Sequence, residues 1–207
     1  MKYSIRSLVC GAYQANAYLV CPEGSRDAFL IDPGDDLSGL KDLISASGRM
    51  LRAILLTHGH FDHTLAAGPL STLTGAPVYI HPADTQILCD DDSNAYDPAA
   101  AVLKTPEFLE TEPLGDEIEC CGVKFKVLHT PGHTKGSVCF YDPEEGILFS
   151  GDTLFQAGFG RVDFPGGSFR EMRESLRFLF TLPPETRVYC GHGGITTIGT
   201  EHARYHI

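Results

Sequence analysis

Thr57-His58-Gly59-His60-Phe61-Asp62-His63 is the stretch from which the rest of the chain is read. It follows Arg52-Ala53-Ile54-Leu55-Leu56, an apolar run with strand character, so three imidazoles and a carboxylate crowd the turn beyond a buried strand end. Gly59 and Phe61 alternate with His60 and Asp62, which lets the backbone turn sharply while the side chains converge. The bland reading is a polar loop with chance histidines. Buried histidines, however, normally come singly, each with its own hydrogen-bond partner. A cluster this dense reads as a metal site.

Three later positions share this setting. His133 follows the apolar run Val123–Leu128 in His129-Thr130-Pro131-Gly132-His133-Thr134, Asp152 follows Phe149-Ser150-Gly151, and His192 follows Val188-Tyr189-Cys190-Gly191. Each lies in a glycine-containing turn at the carboxyl end of a strand candidate, where a rigid sheet edge places functional groups. Together they give His58, His60, His63, His133, His192, Asp62 and Asp152, five imidazoles and two carboxylates. Seven ligands exceed what one four-coordinate ion takes and suit two ions sharing a carboxylate, with room for water. His81, His202 and His206 read as surface groups, and His129 as a residue that backs or packs against the cluster.

The flanking pattern gives the architecture. Tyr3–Val9, Asn16–Val20 and Ala28–Ile31 read as strands, Asp35–Gly48 as a helix, Arg52–Leu56 as a strand and Leu65–Gly75 as a helix with Pro69 in its first turn. Pro77–Ile80 is a short strand and Pro82–Leu88 a short helix. Residues 89–117 carry acidic residues and prolines and read as a long loop or insertion near the active site. The second half continues with strands at Val123–Leu128, Ser137–Tyr141 and Ile147–Ser150, a helix at Phe169–Phe180 and a last strand at Arg187–Cys190. The order β-β-β-α-β-α-β, then β-β-β-α-β, predicts an αββα sandwich of two mixed sheets with helices on the outer faces. A parallel dinucleotide-binding sheet does not fit it.

Composition narrows the partners. The 207 residues fit one domain, 1–207. The formal net charge is −11, and two divalent ions would leave the chain acidic, so a nucleic-acid backbone is repelled. No apolar run approaches the length of a membrane span, and Met1–Arg6 leads straight into an alternating strand rather than an export signal. The seven cysteines are unevenly spaced and include no Cys-x-x-Cys pair. That spacing fits reduced thiols in a cytoplasmic protein and leaves nitrogen and oxygen as the metal ligands. The expected partner is a small molecule, with neither nucleic acid nor membrane.

These residues resemble the metallo-β-lactamase-fold hydrolases, whose pattern is a strand-end Asp, then His-x-His-x-Asp-His, then a His, an Asp and a His. Here they are Asp32, then His58, His60, Asp62 and His63, then His133, Asp152 and His192. The resemblance implies that His58, His60 and His133 hold one metal, that Asp62, His63 and His192 hold the second, and that Asp152 bridges them. Asp32 would order the ligand loops from behind. Within the superfamily the chain looks like the single-domain glyoxalase II-like group, through Asn16–Val20, Ile31–Gly34, Thr130–Thr134, Gly151–Phe155 and Gly160–Phe164. It ends soon after His192, without the helical domain that anchors glutathione in full-length glyoxalase II.

The activity this implies is hydrolysis of small acyl thioesters such as S-lactoylglutathione, by a hydroxide shared between two divalent ions. The ions are zinc by preference, with iron or manganese also acceptable to imidazole and carboxylate. Asp62 and Asp152 would be the catalytic carboxylates, and Arg161, Lys135 and Tyr96 contacts for a carboxylate-bearing substrate. The alternative is a mononuclear iron persulfide dioxygenase acting on glutathione persulfide, a group similar in its ligand-rich motifs and its Gly-Arg-x-Asp-Phe stretch. The true β-lactamases, which are exported and use other ligands where Asp152 stands, resemble it less. A metal-dependent binding or sensor domain is the non-enzymatic reading.

Overall fold

A computed structural model describes residues 2–205. Its twelve strands form two six-stranded sheets. In the first, β1 (Tyr3–Cys10), β2 (Ala15–Pro22) and β3 (Asp27–Ile31) pair antiparallel, and β4 (Met50–Leu55), β5 (Val78–Ile80) and β6 (Glu112–Pro113) continue it in parallel. In the second, β7 (Glu117–Cys120), β8 (Val123–His129), β9 (Val138–Asp142) and β10 (Ile147–Gly151) are antiparallel. There β11 (Arg187–Cys190) joins β10 in parallel, and β12 (Thr196–Thr197) closes the edge. The two mixed sheets and their outer helices form the expected αββα sandwich.

The period of two along each strand separates the layers. Val20, Phe29, Ile31 and Leu55 point from the first sheet toward Phe125, Phe140, Phe149 and Tyr189 of the second. Their immediate neighbours Leu19, Leu30 and Ile54 point the other way, onto α1 (Leu37–Ser47) and α3 (Ala67–Thr74) through Leu40, Ala67 and Leu70. On the second sheet Tyr141, Leu148 and Val188 meet Met172, Leu176 and Leu179 of α4 (Phe169–Leu179). Three apolar interfaces thus stack helix, sheet, sheet and helix.

Helix boundaries follow local chemistry. The Asp36 side chain accepts from the Gly39 N–H to cap α1, and Gly48 ends it at φ 66°, a left-handed conformation that glycine adopts without a Cβ penalty. Pro69 sits in the first turn of α3, where no intrahelical donor is lost. Two short helices, α2 (Phe61–Thr64) and α5 (Ile198–His202), escape the sequence periodicity because they are barely one turn long. Pro82–Cys89 is a 3-10 segment.

The reading of 89–117 as loop needs correction at its end. Glu112–Pro113 adds an edge strand to the first sheet, and Glu117 already opens β7. Two-residue strands bounded by proline carry no alternation to read. The rest of the segment lies against the site: the Asn94 carbonyl accepts from the Phe61 N–H, and Asp35 accepts from Val102 and Leu103.

Candidate metal centre

All seven expected ligands come together where β4, β8, β10 and β11 end. His58, His60 and His133 have ligand atoms within 4.8 Å of one another, as do Asp62, His63 and His192. Asp152 lies between the groups. Its Oδ1 is 3.3 Å from His63 Nε2, and its Oδ2 is 3.5 Å from both His133 Nε2 and His192 Nε2. One carboxylate therefore reaches both triads.

The ring nitrogens turned away from the centre fix the tautomers. His133 Nδ1–H donates to the Arg161 carbonyl at 2.7 Å, and His63 Nδ1–H to Asp32 Oδ2 at 3.2 Å. The Thr57 hydroxyl donates to Asp32 Oδ2, so its oxygen is left to accept from His58 Nδ1–H at 3.0 Å. These assignments, made from the partners, turn the Nε2 lone pairs of His58, His63 and His133 inward. His58 Nε2 and Asp152 Oδ1 are buried without a hydrogen-bond partner. His60 Nδ1 faces His133 Nε2 at 2.7 Å. Unsatisfied lone pairs converging in a buried place are costly unless a cation meets them, so the donor set fits metal ions.

The electrostatics differ between the triads. Burial, reinforced by neighbouring imidazoles, pushes His58 well below its usual range and His60 down to about 3, which keeps both neutral. Burial acts the same way on His63, but Asp152 and Asp62 more than reverse it and hold His63 well above its usual range. Burial likewise opposes the charge on His192, yet bonds to Asp152 and Asp62 raise it to about 9. Asp152 and Asp62 stay below the usual carboxylate range despite burial, chiefly through His63. This half of the site attracts positive charge.

Backbone geometry explains why these turns carry glycine. A Cβ on Gly160 would lie 2.2 Å from the Asp152 carbonyl, and one on Gly191 2.2 Å from Asp152 Oδ1. Asp32, at the end of β3, takes the left-handed φ of 51°, unusual for a residue with a side chain. There it accepts from the Thr57 N–H at 2.8 Å, from the Thr57 hydroxyl and from His63. It also falls within ligand distance of His58 and His63, but those bonds occupy its oxygens, so it orders the ligands rather than joining them.

A cleft of about 250 Å³ opens onto the centre, lined by Tyr13, Phe61, Ala95, Phe155, Phe164 and Arg161 beside the ligands. Arg161 stacks over Phe164 at 3.7 Å and pairs with Asp163 through Nε and Nη2, 2.8 and 2.7 Å. The other two residues marked as substrate contacts lie outside this lining. The Tyr96 ring packs on Phe61 while its hydroxyl donates to the Leu103 carbonyl, and Lys135 lines a neighbouring depression. His129 is exposed and stacks on His81 at 4.3 Å, with Nε2 donating to the Lys135 carbonyl, so it packs rather than supports a ligand. His202 is exposed and stacks on Phe180, and His206 falls outside the described residues.

Sequence reasoning missed several supporting groups. Asn16 donates to the carbonyls of Cys190 and Gly193, and Tyr18 to that of Cys190, so β2 holds the His192 turn. Asp84, on the 3-10 segment, is fully buried between two ligand loops. A lone acid after His81-Pro82-Ala83 carries no signal in one sequence. Tyr13, in the turn between β1 and β2, likewise looks like any loop tyrosine.

Two helix-covered sheets thus carry at their edge a His- and Asp-rich centre whose donors fit metal ions. The metallo-beta-lactamase superfamily profile matches residues 10–192, and the chain belongs to that superfamily. It is 33% identical to hydroxyacylglutathione hydrolase GloC of Haemophilus influenzae over 92% of this chain and 91% of that one. The crystal structure of the B3 metallo-beta-lactamase BLEG-1 superposes with a TM-score of 0.88 at 33% identity, covering 97% of both chains. That of TTHA1623 in a di-iron-bound form gives 0.85 at 43% identity, covering 95% of this chain and 96% of that one. Among the described residues, no helix is long and apolar enough to cross a membrane.

Proposed function

We propose that the protein hydrolyses small acyl thioesters, with S-lactoylglutathione as the model substrate, using two divalent metal ions. The observation that carries this reading is Asp152, whose two oxygens lie 3.3–3.5 Å from ligands of both triads. The similarity to a hydroxyacylglutathione hydrolase over nearly the whole chain supports the substrate class. His58, His60 and His133 would hold one ion, Asp62, His63 and His192 the other, and Asp152 both. Zinc is the preferred occupant, with iron and manganese also acceptable to the donors. Bound there, such ions supply a water acidified toward neutral pH and a Lewis acid for the thioester carbonyl.

The chain's own residues do the rest. Asp62, half-buried with its Oδ2 3.3 Å from His192 Nε2, accepts the attacking water's proton at a carboxylate oxygen and orients it. Tyr13, Phe61, Phe155 and Phe164 wall the cleft and exclude bulk water. Arg161 spends its Nε/Nη2 face on Asp163, and no bond to its Nη1 is found among the described residues. Its Nη1/Nη2 edge is therefore free for a substrate carboxylate, in a plane that Phe164 holds. The thiolate leaves readily, so no dedicated general acid is needed. We place the substrate among small molecules, without nucleic acid or membrane partners, in a cytoplasmic protein formed as one domain.

The test is thiol release from S-lactoylglutathione by metal-loaded protein, beside oxygen uptake with glutathione persulfide and opening of a chromogenic β-lactam. The last belongs in the set because of the likeness to BLEG-1. Metal-dependent thiol release exceeding both other activities supports the thioesterase. Oxygen uptake by an iron-loaded sample without thiol release replaces it with the dioxygenase.

A further inference from the structure

Asp84 lies outside the ligand set, yet it joins the two loops that supply the all-imidazole triad. Its Oδ2 accepts from the Gly59 N–H at 3.0 Å and from the Thr134 hydroxyl at 2.6 Å, and its Oδ1 accepts from the Gly136 N–H at 2.6 Å. Gly59 stands between His58 and His60, and Thr134 follows His133 directly. Two of the three donors thus stand next to the three imidazoles in the chain, and the third, Gly136, lies three residues beyond His133. The hydrogen bonds of Asp84 reach neither the Asp152 loop nor the His192 loop, while Gly59 shares its stretch with Asp62 and His63 as well as with His58 and His60.

The arrangement is built closely around this carboxylate. Asp84 is 1% exposed, and burial pushes its carboxyl above the usual range against the bonds it accepts. A Cβ on Gly136 would lie 2.6 Å from the Asp84 carboxylate, and one on Gly59 2.4 Å from Ile87 Cγ1 on the same 3-10 segment. Both ligand loops therefore run against Pro82–Cys89 at a distance only glycine allows. His81 fixes the start of that segment, its Nδ1 accepting from the Ala83 N–H at 3.2 Å.

Three donors meeting two oxygens need an acceptor at both, which a carboxylate supplies and an amide does not. Turning one oxygen into NH2 sets donor against donor and leaves a buried N–H or O–H unpaired.

We propose that Asp84 is a positioning residue that sets the affinity of the His58/His60/His133 metal site more than that of the Asp62/His63/His192 site. This rests on the two-metal reading above. The experiment strips the protein with a chelator and titrates it with Co(II) against a chromophoric competitor, following histidine imidazole signals by NMR. Wild-type, Asp84→Asn and Thr134→Val proteins are compared, with the melting temperature of each metal-free protein recorded.

In Asp84→Asn, one of the two ions binds about 10- to 100-fold more weakly, as loss of a supporting partner typically costs. The imidazole signals lost are those of His58, His60 and His133, while His192 responds as in wild type. Thr134→Val, which deletes one of the three bonds to Asp84 together with the Ser137 hydroxyl contact, shows a smaller loss of the same ion and carries the test if Asp84→Asn fails to fold. Equal weakening of both ions, or a lower metal-free melting temperature with both affinities intact, overturns the proposal. Wild-type protein that takes up no ion at His58, His60 and His133 overturns the metal reading itself, and is told apart by appearing before any substitution.

Discussion

The two triads sit side by side but solve different problems. His58, His60 and His133 are all imidazoles, almost wholly buried, and His58 and His60 are held neutral by their surroundings. Asp62, His63 and His192 include a carboxylate, have Asp62 and His192 partly exposed, and lie in a field that pulls positive charge onto the histidines. The first is stiffened from outside by Asp84 and, through Thr57, by Asp32, and the second by Asp32 and Asn16. The lesson is a division of labour. A buried, all-imidazole triad suits tight retention, while a carboxylate-bearing, more open one suits work on a substrate.

Asp152 joins the halves, so its loss should do the most damage. Asp152→Ala is expected to lower kcat/KM by more than the ~100-fold that losing a supporting partner costs, with reduced uptake of both ions by elemental analysis. Loss of only one ion would show that the halves are independent. Next comes Asp32→Asn, which disturbs His63 directly and His58 through Thr57. About 10- to 100-fold weaker binding is expected, larger for the ion at His63, read by competitive metal titration.

Arg161→Gln tests the cleft rather than either triad. Losing a charged bond worth about 1.5–3 kcal/mol should raise KM at least ~10-fold for a carboxylate-bearing thioester. A neutral thioester and metal content should hardly change. Equal losses on both substrates would remove Arg161 from recognition.

The smallest effect belongs far from the centre. Tyr3 is buried between the sheets with its hydroxyl on Asp142 at 3.0 Å, and burial first, then Asp142, raises its pKa. A phenol whose folded pKa is raised stabilises fully below its unfolded value of about 10, and that contribution is lost as pH climbs beyond it. Tyr3→Phe should therefore flatten the fall in melting temperature above about pH 10 and leave metal content unchanged.

What the sequence disclosed follows the same contrast. The ligands were legible because each sits at a strand end in a glycine turn, and because the motif crowds four of them together. The sandwich was legible from strand alternation, and α1 from the helical spacing of Leu37, Leu40, Leu43 and Ile44 and the stop at Gly48. The supports were hidden. Asp84 works through contacts 25 and 50 residues away along the chain. Asn16 works across 174 and 177 residues, from one sheet to the other. Such pairings leave no local pattern. Glu112–Pro113 became a strand by pairing with β5 rather than by any propensity of its own.

The most direct test of two cooperating sites is a zinc titration of chelator-stripped protein, with thiol release from S-lactoylglutathione measured at each addition. A rate that keeps rising to two equivalents and then levels off agrees with triads joined through Asp152. A rate that is complete at one equivalent, or absent at two, contradicts it.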